Sequence, residues 1–345
     1  MPRTKIIKCS TLCTLLAVWV SFGLGGCTSV RSDDASNPQD ASKILKIAPP
    51  NISVTARSQP PRENISPFTG LPVSRDAIFA TKVDNVSFAR PQTGLEQADI
   101  VYVEQVEGGL SRFLCIYSSQ LPDKVGPVRS ARESDLDLLQ QFGKPALIYS
   151  GSRKSLIPVI RNANLLTITP DTHPDIFHRD NSREAPHNLY ANLRQVESTA
   201  SKVSGSRDIG FRFGEAPSGG GTPMQSRTVK YPEARFDFTW DDKIKKWKVY
   251  FDSERGGAKI MAIAVPNVVI QHVTFKKSLF ADKWGSVSPY INTVGEGLVE
   301  ILRDGKSFLG KWSRKSASDV TVYKGASGDV LKFARGPVWV VLTAD

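Results

Sequence analysis

Two apolar runs near the middle of the first half of the chain set the frame. Ile100-Val101-Tyr102-Val103-Glu104-Gln105-Val106 is dense in β-branched residues, and Ser111 to Ser118 repeats the pattern after Glu107-Gly108-Gly109-Leu110. Such runs around a Gly-Gly pair predict a hairpin. With Gly108-Gly109 as a two-residue turn, Gln105 faces Arg112 and Glu104 faces Phe113, beside Tyr102 and Cys115. Ala80 to Asp84, Ala146 to Tyr149 and Leu165 to Thr169 read as further strands. Leu136, Leu139 and Phe142 recur at helical spacing, which predicts a helix from about Ala131 to Phe142. Helical patterns also cover about 155–162 and 188–201, and Thr93-Gly94-Leu95-Glu96 opens a possible single turn.

From Val229 onward the pattern is almost all strand. Arg235 to Asp241, Lys246 to Asp252, Asn267 to Phe275, Gly297 to Arg303, Lys306 to Trp312 and Pro337 to Thr343 are the candidates, with Asp304-Gly305 as a tight hairpin turn. Between the two regions lies a stretch rich in Gly, Ser and Pro that includes Gly219-Gly220-Gly221. The expected fold class is α+β. A mixed α/β N-terminal domain (67–204) is followed by a linker (205–228) and a mostly antiparallel β C-terminal domain (229–345).

The N-terminus has a different character. Arg3, Lys5 and Lys8 precede an apolar run from about Leu12 to Leu24, too short to span a membrane comfortably and fitting a secretory leader. Leu24-Gly25-Gly26-Cys27 then matches a lipobox. Residues 1–26 are read as a lipoprotein signal peptide, and Cys27 as the lipidated residue. Residues 27–66 are a polar, Pro-containing tether. A diacyl anchor on Cys27 places the protein on the cell membrane at its outer, extracytoplasmic face. An ordinary leader with a chance cysteine is the alternative. Cys9 and Cys13 leave with the leader, so Cys115 alone remains in the folded part. It sits in the apolar run Phe113 to Tyr117 and reads as a small buried hydrophobe rather than a nucleophile.

Charge changes the list of partners. The chain carries 45 Lys+Arg against 34 Asp+Glu. The leader holds three of the basic groups and no acid, which leaves 42 against 34, or +8. Export argues against nucleic acid and for anionic partners of the envelope, an anionic polymer or peptidoglycan carboxylates. A merely solvated basic surface is the competing reading.

The candidate chemistry gathers around Gly126-Pro127-Val128-Arg129-Ser130-Ala131-Arg132-Glu133-Ser134-Asp135. Ser130 followed by Glu133 reads as a capping box, which sets Arg129 just outside the helix and Arg132 in its first turn. Cations at that end of the dipole are unfavourable by ~0.3–1 kcal/mol each, so an anion is expected there. Glu133 and Asp135 within the helix or the hairpin acids could supply it, or a ligand could. Glu104, set among aromatic and aliphatic neighbours, is either paired or raised in pKa. The loop His173 to Tyr190 holds His173, His178 and His187 at no familiar metal spacing. No metal or cofactor is expected.

These stretches resemble the YerB-type lipoproteins, a bacterial family of unknown function. The resemblance rests on Val83–Asn85, Ala89–Leu95, Gln97–Tyr102, Val106–Gly109, Arg112-Phe113, Gly126–Arg132 and Ala185–Tyr190. In the second region it rests on Arg303–Lys306, Gly310–Trp312 and Val338–Val340. It implies an anchored two-part α+β protein and brings no established reaction or cofactor. Many members carry a histidine in the segment that here reads Tyr149-Ser150-Gly151, and a tryptophan where His178 stands.

Two functions fit this pattern. In the first, Arg90, Arg112, Arg129, Arg132, Arg179 and His187 form a pocket for an anionic envelope ligand, with Asp84, Glu104 and Glu107 orienting the arginines. In the second, Asp84, Glu104 or Glu107 acts with His187 as the acid/base of an envelope hydrolase or transferase.

Overall fold

The structure, a computed structural model, describes residues 64–217, 219–251, 260–281 and 287–344. The leader, Cys27 and the tether up to residue 63 lie outside these residues, as do Ser218 and Asp252. The strands of the first region are β1 (Phe79–Asp84), β2 (Ile100–Gln105), β3 (Ser111–Tyr117), β4 (Ala146–Ile148), β5 (Leu166–Ile168), β6 (Phe177–Arg179) and β7 (Leu189–Ala191). The second region adds β8 (Gly221–Pro223), β9 (Ser226–Tyr231), β10 (Ala234–Asp241), β11 (Lys246–Phe251), β12 (Ile260–Val265) and β13 (Asn267–His272). It continues with β14 (Thr274–Ala281), β15 (Val287–Asn292), β16 (Gly295–Arg303), β17 (Lys306–Arg314), β18 (Val322–Gly325) and β19 (Val338–Thr343). Helices are short: α1 (Glu133–Gln140), α2 (Ile157–Asn162) and α3 (Leu193–Val196).

Strand content exceeds the α+β expectation. The predicted helix over 188–201 begins instead as strand β7. Only α3 and a following 3₁₀ turn, Glu197–Lys202, are helical there.

The two sequence regions share one sheet. Among the described residues it has eleven strands, in the order β18-β17-β16-β13-β19-β2-β3-β1-β4-β5, with β8 also on β17. The final strand, β19, runs parallel to both β13 and β2 and joins the halves. Its first five residues, Val-Trp-Val-Val-Leu, are apolar, as a central strand covered on both faces requires, and only Thr343 at its end is polar.

Alternation of side chains sorts the core into two layers. Val101, Val103, Phe113 and Cys115 face a second, four-stranded sheet, β12-β11-β10-β9, and pack against its Phe236, Trp247 and Phe251. Ile100, Tyr102, Leu114 and Ile116 face the other way and meet Leu136, Leu139 and Phe142 of the α1 region. Leu302 and Val268 extend the first layer, Ile301 and Val269 the second. A two-stranded ribbon, β14–β15, lies over the α1 side. Ile291 N–H donates to Ser134 Oγ at 2.8 Å, and Ser278 Oγ donates to Glu133 at 2.5 Å.

The hairpin turn corrects the expected register. Glu107, Gly108 and Gly109 form a three-residue 3₁₀ turn, with φ of 66° at Gly108 and 74° at Gly109. The pairing therefore moves by one, so that Glu104 faces Arg112 and Gln105 faces Ser111. At Gly109 the close approach matters as much as φ, because a Cβ there would lie 2.5 Å from Pro232 Cβ.

Candidate functional site

Pleating puts Lys82, Asp84, Glu104 and Arg112 on the α1 face of β1, β2 and β3. Lys82 pairs in register with Leu114, Asp84 with Arg112, and Arg112 with Glu104. Four ionisable side chains on one buried face must find partners or lose charge.

Lys82 is fully buried and holds two carboxylates, Glu104 and Asp135, the latter at 2.6 Å. Two acids share one cation. Burial raises the Glu104 pKa above the usual carboxyl range, the Asp135 charge adds to that, and Lys82 offsets part of it. Glu104 Oε1 is buried and has no hydrogen-bond partner among the described residues. Asp135 also accepts the N–H of Arg132 at 2.6 Å, the carboxylate half of a capping box. The helix start is thus two residues later than the sequence implies. Arg132 is the N-cap residue with extended backbone, and Asp135 rather than Glu133 answers its amide.

Arg129 and Arg132 stand in an extended segment before the helix. Arg129 N–H donates to Lys82 O, Ala131 N–H to Gly151 O, and Ser150 N–H to Arg129 O. This clamp turns the two guanidiniums to different acids. Arg129 Nε donates to Asp84 Oδ2 at 2.8 Å, and His187 Nδ1 lies 2.8 Å from the same oxygen. Burial would raise the Asp84 carboxyl. The His187 hydrogen bond, with the Arg112 and Arg129 charges, outweighs it and leaves Asp84 below its ordinary range.

Arg132 donates through Nε at 3.1 Å and Nη2 at 2.8 Å to Glu107 Oε2. The other oxygen, Oε1, takes Arg153 Nη2 at 2.5 Å and Ser288 Oγ at 2.5 Å. Burial opposes ionisation here too, but the Arg132 charge and these bonds hold Glu107 well below the carboxylate range. Arg112 lies between the two groups and donates to Ser130 O at 3.2 Å. Burial and the neighbouring Arg132 charge push its pKa down to about 9, so it remains a cation at neutral pH. Its buried Nε has no partner among the described residues.

These groups open onto a cavity of about 360 Å³ lined by Arg112, Arg132, Arg153, Glu107, Ser130 and Ser152. Three guanidiniums against one carboxylate leave the lining at +2. The neighbouring Arg129–Asp84 pair adds no net charge, since Arg129 and Asp84 cancel.

Several sequence candidates lie elsewhere. Arg90 is buried and bound to Asn85, with its guanidinium 5.3 Å from the centre of the Phe251 ring. It faces the four-stranded sheet rather than the cavity. Arg179 is exposed and donates to Asn188 Oδ1 at 2.7 Å, within the β6–β7 hairpin. Glu104 is 1% exposed, closed on Lys82 and absent from the cavity wall. His178 stacks on Tyr190 at 5.8 Å, and His173 meets Thr172. Cys115 is fully buried, and burial drives its thiol far above the usual range.

Lys82, Arg153 and Ser288 were not singled out from the sequence, and Asp135 was expected only to offset the arginines within the helix. Lys82 carried a readable signal, a cation on a strand between Ala80 and Asp84. Arg153 and Ser288 carried none, because they reach Glu107 from 46 and 181 residues away.

Comparison with known proteins bears on the whole arrangement. Residues 68–206 match the N-terminal domain, and residues 227–340 the C-terminal domain, of a family described as a protein of unknown function, DUF3048. The chain belongs to the DUF3048 family. A Bacillus subtilis (strain 168) protein named "Putative lipoprotein YerB" is 34% identical over 139 residues, which span 39% of this chain and 42% of that protein. The crystal structure of the YerB protein from Bacillus subtilis superposes with a TM-score of 0.66 at 22% identity, covering 82% of this chain and 97% of that one. At that identity the likeness establishes the fold.

In this DUF3048 chain, the stretches that carried the resemblance build much of the site. Val83–Asn85, Val106–Gly109, Gly126–Arg132 and Ala185–Tyr190 supply Asp84, Glu107, both arginines of the extended segment and His187. Ser150-Gly151 supplies backbone partners to that segment. No helix among the described residues is long and apolar enough to cross a membrane.

Proposed function

We propose that the protein is a membrane-anchored extracytoplasmic lipoprotein that binds an anionic envelope ligand in the Arg112–Arg132–Arg153 cavity. The leader and Cys27 support the anchor and the outer face, and the name of the Bacillus relative, a putative lipoprotein, supports the anchor. One observation carries the binding reading. Three guanidiniums, Arg112, Arg132 and Arg153, line one open cavity against a single carboxylate, Glu107. Guanidinium forks suit carboxylate and phosphate oxygens bidentately. Glu107 then holds Arg132 and Arg153 in place and competes with the ligand for them.

The competition makes the reading testable. The full chain in detergent is titrated calorimetrically with inorganic phosphate. Arg153→Gln should abolish binding, whereas Glu107→Gln, which removes the competing charge, should strengthen it. A network that is only structural gives no phosphate binding in any variant and lost stability in both.

A second reading draws on the Asp84–His187 pair, an acid orienting an imidazole through Nδ1. Such a pair serves general acid/base chemistry in an envelope hydrolase or transferase. Incubation with purified cell wall followed by mass spectrometry tests it. Equal fragment release from wild type and His187→Gln, or none from either, ends it.

A further inference from the structure

We infer that the ligand is a phosphate monoester bearing a ring, with the phosphate against Arg112, Arg132 and Arg153 and the ring on Phe88; this rests on the anion-binding reading above.

Charge and size narrow the ligand first. The lining carries +2, which one carboxylate would half neutralise. A phosphate monoester carries about −1.5 to −2 at neutral pH and presents three acceptor oxygens to the guanidinium forks. The cavity volume of about 360 Å³ equals roughly a dozen waters at ~30 Å³ each, well beyond a bare oxoanion of five heavy atoms. A cleft of that size has room for more than the phosphate.

Phe88 supplies a surface for the remainder. It sits on the 3₁₀ turn Ser87–Ala89, two residues from Val86, which lines the cavity. Phe88 is 69% exposed, which leaves its ring available to a ligand. The ring stacks on His187, with centroids 6.1 Å apart and planes 29° from parallel. His187 is held by Asp84, and the Asp84 charge acts on Arg112 of the cavity wall. The phenyl is thus fixed from beneath by an imidazole tied to the same charge network, with the remainder of the ring open to solvent. Val86 lines the anion pocket and Phe88 stands two residues along the same segment, so a phosphate would set position while a ring stacking on Phe88 adds affinity. Sugars and nucleobases both stack on such a face, so the shared chemistry is a phosphorylated ring, and the two sources are separated by experiment.

The full chain in detergent is titrated at pH 7.5 with inorganic phosphate, glucose 1-phosphate, adenosine 5′-monophosphate and glucose. At least one monoester should bind tenfold or more tighter than inorganic phosphate, and the tighter one names the source. Glucose alone should show no heat. Phe88→Ala, at an exposed position, should bring the monoester down to the phosphate level and leave phosphate affinity within about twofold. Phe88→Trp should retain the advantage. Phosphate binding with no monoester advantage, or an advantage untouched by Phe88→Ala, overturns the ring and leaves the anion pocket standing. Absence of phosphate binding overturns both.

Discussion

Lys82 is the position where one side chain should matter most to stability. Its ammonium is wholly buried and neutralises Glu104 and Asp135, which are themselves 1% and 0% exposed. Lys82→Met keeps the aliphatic volume, so little cavity forms and the charge is the main loss. Removing one partner of a buried ion network typically costs ~3–5 kcal/mol, because the remaining charge is stranded. For a folded part of this size that corresponds to a fall of ~5–9 °C in Tm at neutral pH.

The sign with pH follows from the stranded acids. Burial already raises the Glu104 carboxyl above its unfolded value, and removing Lys82, which offsets part of that, raises it further. A raised pKa gives stability that is present below the unfolded value, near 4.5, and is lost as pH rises through the folded value. The deficit of Lys82→Met relative to wild type should therefore shrink toward pH 5 and widen toward pH 8. Urea unfolding followed by tryptophan fluorescence at pH 5, 6.5 and 8 measures it. Lys82→Met with Glu104→Gln, which neutralises one stranded acid, should recover part of the loss at pH 8. A deficit under ~1 kcal/mol at pH 8, or one that does not change with pH, would refute the reasoning.

Other expectations follow from single contacts. Gly109→Ala should destabilise the hairpin well beyond Gly108→Ala, since both have positive φ but only Gly109 meets Pro232; thermal melts of the two variants decide it. Asp84→Asn should cost ~1–3 kcal/mol at pH 7 through lost charge-assisted bonds. Because the Asp84 pKa is lowered on folding, that contribution is present above its ordinary value of 3.8 and disappears as pH falls through the folded value, so the two proteins should converge in acid melts. Cys115 should resist thiol reagents in the folded protein and react only on unfolding, and Cys115→Ala should leave phosphate binding unchanged. Rapid labelling of the native protein would contradict its burial.

Strand content was legible because the pattern is local. Ile100–Gln105, Ser111–Tyr117 and Gly295–Arg303 announce themselves through β-branched density and turn residues, and Asp304-Gly305 adopts the positive φ values that its hairpin needs. Helix starts were less legible. Ser130 and Glu133 offered a capping box, but Asp135 was drawn to the Arg132 amide while also answering Lys82, and only the packed sheet supplies Lys82.

The hairpin shows the same limit on a smaller scale. A three-residue turn instead of two shifts the register by one, and side chains alternate with period two. That shift decides that Glu104 stands across from Arg112, on the face that carries Lys82 and Asp84. The sequence by itself determined most of the long strands and that arginines cluster before α1, and it offered a basic leader before Cys27 as an expectation. Tertiary structure alone decided which arginines share a cavity. Arg153 and Ser288 meet Glu107 across 46 and 181 residues, Arg90 turns to Phe251, and Arg179 stays with its own hairpin. The physical reason is that charge pairing at hydrogen-bond range depends on which faces a sheet brings together, and no local spacing encodes that.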